Sequence, residues 1–316
     1  MVQAIVCGSC VVDLPCLTVS LDVPVGRNQI YPIEAIQPTV GGITCNVGIA
    51  LQRLGIPTGL LTLVGNDVWG GLIRAVLEGE GLDTAMLQTH SKDPTTAVVA
   101  LIDADGERSF LVPEAKTATK SIDQAFVRNR LDAIGKASYF LLGYFGRMPL
   151  LEPDLPEVLQ DIRATGCRTV MDSAGNGGDP ELLRRVLPHL DIYIPSEMEA
   201  RHQTGETAPE AMVQSYREQN THGIIGVKLG DQGALLHDPE EGFIRLPAIE
   251  PIGPVVDTIG AGDCFMAGFL AGLEHGLPVA EAGRWATAAG ASAVTSRGGY
   301  AGISNKDALT SMLRGI

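Results

Sequence analysis

The chain has 316 residues, 45% hydrophobic and 19% charged, a length that fits one large α/β domain or two small ones with a full core. Its formal charge of −14 argues against non-specific nucleic-acid binding, which needs Lys and Arg to neutralise phosphates. No apolar run reaches the ~18 residues of a membrane span. The start MVQAIVCGSC lacks a charged leader pattern, and six cysteines are too sparse for a disulfide framework, so a cytoplasmic protein with no membrane partner is expected.

Gln3 to Gly8 is a short apolar run ending at glycine and reads as a buried strand of a parallel sheet. Residues 11 to 40 mix alternating apolar positions with several prolines, which predicts two or more short edge-type strands. Helical spacing follows over 46–54, ending at Gly55 as a C-cap; then come a strand over 58–64 and a helix over 69–80. The stretch 94–113 holds two strand-like runs around Asp105-Gly106, a hairpin signal. Beyond it, strands are predicted at 138–143, 168–172, 191–194 and 223–228. Helices are predicted at 154–165, 180–187, 208–219, 263–275, 279–296 and 305–314. Repeated strand-then-helix order argues a parallel sheet with helices on both faces. The pieces at about 13–40 and 94–113 fit that sheet poorly and predict a small separate one.

The most informative stretch is Asp257 to Leu273, DTIGAGDCFMAGFLAGL. Gly260-Ala261-Gly262 runs into Asp263 and an apolar helix. A glycine turn at a helix start leaves N–H groups pointing outward, and with the helix dipole these bind anions. An aspartate beside an anion site repels phosphate; it makes sense as a general base for an attacking hydroxyl. Base and anion cradle together are the parts that phosphoryl transfer requires. A helix-start aspartate in an ordinary glycine turn is the alternative reading. The sequence contains neither a G-x-x-x-x-G-K-[ST] loop nor a G-x-G-x-x-G after the first strand. A second glycine pair, Gly41-Gly42, precedes Asn46, whose amide can hydrogen-bond hydroxyls of a small polar ligand. Gly65-Asn66-Asp67-x-x-Gly70 reads as a structural turn capping the next helix.

Together these pieces resemble the PfkB, or ribokinase-like, carbohydrate kinases over nearly the whole chain. The resemblance rests on Gly8-Ser9-x-x-x-Asp13, Gly41-Gly42-x-x-x-Asn46-x-x-x-Ala50, Gly65-Asn66-Asp67-x-x-Gly70, Pro195-Ser196-Glu197-Met198-Glu199-Ala200, Val227-Lys228-Leu229-Gly230-Asp231-Gln232-Gly233 and Asp257 to Asp263. It implies a single domain over 1–316 with a three-layer α/β/α fold, a mostly parallel sheet, and a β-sheet lid from the two strand-rich pieces. In many relatives such lids pair in a homodimer. The activity implied is transfer of the γ-phosphoryl group of ATP to a hydroxyl of a sugar or sugar-like molecule, with Asp263 as base and Gly260, Ala261 and Gly262 forming the anion hole. Asp13, Gly41, Gly42 and Asn46 would hold substrate hydroxyls. Ser196, Lys228, Gly230, Gly233 and Thr287, with Gly260 and Gly262, would line the ATP site. Glu199 would act on Mg²⁺ through water, and Asp257, Ile259, Ala293, Ser296 and Gly298 match a monovalent-cation (K⁺) site of many relatives.

Departures sharpen the expectation. Ser196 stands where the family often has Asn, which shortens its reach to a metal-bound water. Ile43-Thr44 replace a lysine of ribokinases, which argues against ribose. Gly143-Tyr144-Phe145 resembles a segment of adenosine kinases, so a nucleoside acceptor is the alternative, although the aromatic pair can equally pack the core. A non-catalytic nucleotide- or sugar-binding protein is a further alternative. Arg108 either contacts an acidic ligand or is a solvated hairpin arginine. Asp172 falls near a strand end where some relatives contact ligand. Cys7-x-x-Cys10 has no second pair or nearby His and reads as packing rather than zinc. Cys264, Trp69 and Trp285 read as packing residues.

Overall fold

Side chains of a strand point alternately to opposite faces, so a strand buried on both sides feeds two cores. In the computed structural model, Ala4 and Val6 of the first strand join one core, while Ile5 and Cys7 join the other. The structure describes residues 2–314 apart from 23–25, 27, 29, 105, 106 and 115. The strands are β1 (Ala4–Gly8), β2 (Val11–Leu17), β3 (Thr39–Gly41), β4 (Thr58–Gly65), β5 (Leu87–His90), β6 (Thr96–Ile102), β7 (Arg108–Leu111), β8 (Tyr139–Phe145), β9 (Arg168–Ser173), β10 (Ile192–Tyr193), β11 (Ile224–Lys228), β12 (Ala234–Asp238) and β13 (Gly242–Leu246). The helices are α1 (Gly42–Arg53), α2 (Val68–Gly79), α3 (Gln124–Arg128), α4 (Leu131–Ile134), α5 (Leu155–Ala164), α6 (Pro180–Val186), α7 (Glu197–Thr204), α8 (Pro209–Arg217), α9 (Ala261–Glu274), α10 (Val279–Ala293) and α11 (Lys306–Arg314).

Nine strands form one sheet in the order β13-β12-β11-β10-β9-β8-β1-β4-β5, parallel except for antiparallel β12 and β13 at one edge. One core packs α1, α2, α9, α10 and α11 on one face; the other packs α3 to α8 on the opposite face. This is the expected three-layer α/β/α arrangement. A separate four-stranded sheet, β3-β2-β6-β7, joins the two strand-rich pieces by parallel pairing of β2 with β6. Its β6–β7 pair is antiparallel, with Ile102 opposite Arg108; the turn residues Asp105 and Gly106 lie outside the described residues.

Several boundaries depart from the sequence reading. Helix α1 begins at Gly42, not at 46, because the Thr44 N–H and hydroxyl both reach the Ser9 carbonyl and Ile43 and Cys45 enter the core. Helix α10 stops at Ala293 rather than 296: the Thr295 hydroxyl turns back to the Ser292 carbonyl, and the N–H groups of Val256 and Asp257 take the Val294 carbonyl. Within the piece 13–40, strand β2 starts earlier, at Val11, and β3 covers 39–41. The sequence reading assigns no element to β5, β12, β13, α3, α4 or α7. Helix α7, EMEARHQT, buries Glu199, Ala200 and Gln203 and has no apolar stripe to betray it. Its start is held instead by a reciprocal Ser196–Glu199 capping box. Asp67 caps α2 as expected, accepting from the Gly70 N–H, and it also takes the Thr95 N–H and hydroxyl.

Candidate active site

The carboxyl ends of the parallel strands lie along one edge of the main sheet, the usual place for a ligand in an open α/β fold. Gly8, Phe145, Ser173 and Lys228 close β1, β8, β9 and β11 there, with Tyr144 one residue before the end of β8. Across that edge comes the turn before α9. Gly260 caps the helix at φ +75°, and a Cβ built on it would sit 2.1 Å from the Gly299 carbonyl oxygen, so only glycine lets the turn lie against that loop. At the start of α9 the Ala261 N–H reaches back to the Thr258 carbonyl at 3.4 Å, while those of Gly262 and Asp263 precede the first intrahelical bond, Cys264 N–H to the Gly260 carbonyl, and sit at the positive end of the helix dipole. A Cβ on Gly262 would stand 3.2 Å from Lys228 Nζ, which brings an ammonium to the same helix end.

Asp263 is the third residue of α9 and is buried. Its Oδ2 accepts two hydrogen bonds, from Asn46 Nδ2 at 2.7 Å and from the Tyr144 hydroxyl at 2.8 Å. Among the described residues no donor reaches Oδ1. Burial pushes the Asp263 carboxyl above its ordinary value; the bonds from Asn46 and Tyr144 and the charge of Lys228 pull it back. Burial and the facing Asp263 carboxylate hold the Tyr144 hydroxyl far above its ordinary value, so Tyr144 stays protonated and donates.

A cavity of about 530 Å³ opens in front of Asp263, and Asp13, Gly42, Asn46, Tyr144 and Gly260 line it with Phe110 and Thr117. Asn46 Oδ1 and Thr117 Oγ1 are buried with no hydrogen-bond partner among the described residues. Such orphaned acceptors cost roughly 1–3 kcal/mol each, which a hydroxylated ligand can relieve. Burial, then the charge of Asp257, raises the Asp13 carboxyl to about 6. Gly41 lies behind Asp13 and outside the cavity lining, with a built Cβ 2.1 Å from Asp13 Oδ2. Absence of a side chain there makes room for the carboxylate.

The residues expected at the nucleotide form a second cluster. Lys228 Nζ lies 3.0 Å from both carboxylate oxygens of Asp172. Burial works to lower the Lys228 pKa, yet the carboxylates of Asp172, Glu199 and Asp263 hold it above its ordinary value, so the ammonium stays charged. Ser196 bridges to Lys228 between backbones. Ser196 and Glu199 are spent on each other: the Ser196 N–H donates to Glu199 Oε2 at 2.8 Å, and the Glu199 N–H to Ser196 Oγ at 3.4 Å. Gly230 and Gly233 open and close a tight turn after β11. Thr287 lies on α10, where its hydroxyl donates to the Arg284 carbonyl.

Among the described residues no three His, Cys, Asp or Glu side chains are grouped to hold a metal ion. At the expected K⁺ position, both Asp257 oxygens are taken: Oδ1 by the Ile259 N–H at 2.9 Å and Arg108 Nη1 at 2.7 Å, Oδ2 by the Gly298 N–H at 3.0 Å. The Ser296 N–H turns onto the Ala293 carbonyl at 3.4 Å. Oδ1 of Asp257 already takes two donors, one of them the Arg108 guanidinium, and a cation ligated by that oxygen would have to displace it.

Sequence reasoning missed three of these contacts. Tyr144 reaches Asp263 by its hydroxyl, while its neighbour Phe145 packs in the core. Asp172 is paired with Lys228, and Arg108 is bound to Asp257. The strand-end positions of Tyr144 and Asp172 were the available signals. Cys10 and Cys45 lie in the core with sulfurs 3.4 Å apart, and Cys7, Cys264 and Trp285 are buried as packing residues.

The profile of the pfkB family carbohydrate kinases matches residues 1–306. The chain is similar to a 2-dehydro-3-deoxygluconokinase of Bacillus subtilis, 26% identical over 90% of this chain and 89% of that protein. It is 30% identical to an aminoimidazole riboside kinase of Salmonella typhimurium, over 86% of this chain and 87% of the other. Among solved structures, an Arabidopsis thaliana ribokinase complexed with ribose and ATP superposes with a TM-score of 0.82 at 24% identity, covering 99% of both chains. At that identity the likeness establishes the fold.

Proposed function

The chain belongs to the pfkB family of carbohydrate kinases, and on that premise we propose that it moves the γ-phosphoryl group of ATP to a hydroxyl of a sugar or sugar-like acceptor, with Asp263 as the base. One observation carries this reading: a buried carboxylate in the wall of a cavity, with one oxygen anchored by two donors, at the start of a helix. The acceptor hydroxyl gives its proton to Asp263 Oδ1, while Asn46 and Tyr144 hold Oδ2 and so fix the carboxylate plane. Asp13 and Asn46 bind remote hydroxyls and orient the nucleophile, a contribution that converts into rate. The N–H groups at the start of α9 and the Lys228 ammonium stabilise charge on the transferring group. When bound, ATP would supply the phosphoryl group and Mg²⁺ would offset part of its negative charge. The small sheet, which lends Phe110 and Val98 to the cavity wall, acts as a lid that excludes water.

A nucleoside acceptor is the second reading, favoured by the apolar wall of Val98, Phe110, Val112 and Met148. The test is ADP release with Mg²⁺ and ATP across sugars, sugar acids, sugar phosphates and nucleosides, for wild type and Asp263→Asn. Loss of a general base costs about 10²–10⁴ in kcat, so the variant should bind ATP yet turn over at that reduced rate. Near-normal turnover by Asp263→Asn on the best acceptor would remove Asp263 from the mechanism.

A further inference from the structure

The glycine turn that faces the phosphoryl group is held by one carboxylate. Asp257 receives the Ile259 N–H inside the turn, the Gly298 N–H from the loop after α10, and Arg108 Nη1 from β7 of the small sheet. Three segments distant in sequence therefore meet at a single side chain. The ion pair is mostly out of water, with side-chain exposures of 20% for Arg108 and 12% for Asp257. A pair so shielded is screened less than a surface pair, and losing one partner leaves the other charge poorly solvated.

We infer that Arg108 is a positioning residue that supplies the positive charge at Asp257 from the small sheet and sets the phosphoryl-binding turn without a monovalent cation. A cation at Asp257 Oδ1 would have to displace a guanidinium that is part of the chain and already 2.7 Å from that oxygen. The same bond couples the two halves of the site. Arg108 is opposite Ile102 in the β6–β7 pair, and Asp13 is opposite Val98 in the β2–β6 pair, so the strand that binds acceptor and the strand that holds Asp257 belong to one sheet. An acceptor seated under that sheet keeps Arg108 on Asp257, and the turn keeps its shape.

The inference rests on the kinase reading for its rate measurements and on melting curves for the cation itself. Wild type, Arg108→Gln and Arg108→Lys are compared with K⁺, Na⁺ or tetramethylammonium as the sole monovalent cation. Wild-type turnover should change less than about twofold between cations, and its melting temperature should show no K⁺-specific rise, since a bound ion stabilises by mass action. Arg108→Gln should lose about tenfold or more in kcat, with a smaller change in acceptor KM, and Arg108→Lys should keep more of the rate than Arg108→Gln. A K⁺-specific activation or stabilisation of wild type overturns the inference. So does wild-type kcat in Arg108→Gln, or equal losses in both variants. If no acceptor elicits ADP release, the kinase reading is what fails, and the melting curves still decide whether K⁺ binds.

Discussion

Replacing Tyr144 with phenylalanine removes one of the two donors on Asp263 Oδ2 and leaves the ring in place. The lost bond is 2.8 Å long and ends on a carboxylate, a class worth about 1.5–3 kcal/mol net. At about 1.4 kcal/mol per pKa unit, the Asp263 carboxyl should move by ~1–2 units. The sign follows from which form the donor favours: Tyr144 stabilises the carboxylate, so losing it raises a carboxyl that burial has already pushed above its ordinary 3.8. The assay is kcat/KM against pH on the best acceptor. Its acidic limb should shift upward by ~1–2 units, with a smaller effect on the alkaline plateau. Stability reports the same bond. A group whose folded-state pKa is raised contributes stability when protonated and loses it as pH rises through that pKa. The melting-temperature deficit of Tyr144→Phe should therefore grow with rising pH and shrink on acidification. An unmoved acidic limb would refute the reasoning. A rise in acceptor KM alone would mean that Tyr144 touches the acceptor instead of tuning the base.

Asp13, raised to about 6, should lose its acceptor capacity for substrate hydroxyls as pH falls through that value, so acceptor KM should climb below about pH 6 in wild type and be high and flat in Asp13→Asn. By the same linkage, the contribution of Asp13 to stability is lost as pH rises through about 6, and Asp13→Asn should gain on wild type in melting temperature across that range. Lys228→Met strands a buried Asp172 and should cost about 3–5 kcal/mol in denaturant unfolding together with most activity. Adding Asp172→Leu should recover stability without recovering rate, because the ammonium at the start of α9 is still missing. Equal stability of Lys228→Met and wild type would show the pair to be dispensable. The rate loss expected of Asp263→Asn and the cation indifference tied to Arg108 complete the set.

Much of the site was legible because it is local. The turn from Gly260 to Asp263 is contiguous, and the link between glycines, helix start and aspartate needs no knowledge of the rest of the chain. The pair of Gly42 with Asn46 is likewise one helical turn. The glycine pair looked like one ligand loop, and the structure divides it: Gly42 lines the cavity, whereas Gly41 makes room for Asp13, whose strand pairs with β3. Ser196 and Glu199 sit at a helix start whose capping box was legible as Ser-x-x-Glu, but the helix itself has no apolar periodicity to announce it.

The sequence by itself determined the layer order and the kind of chemistry. Apolar runs and helical periodicity are backbone-scale signals, and their alternation here is the pattern of a parallel sheet with two covered faces. Tertiary structure alone decided which polar group answers which. Tyr144 is 119 residues from Asp263, Lys228 is 56 from Asp172, and Arg108 is 149 from Asp257. Those pairings arise because the strand order brings the ends of β8, β9 and β11 to one edge and lays a second sheet against them. A buried charge takes the partner that packing leaves within about 3 Å, and distance in space across two sheets is not encoded in any local period.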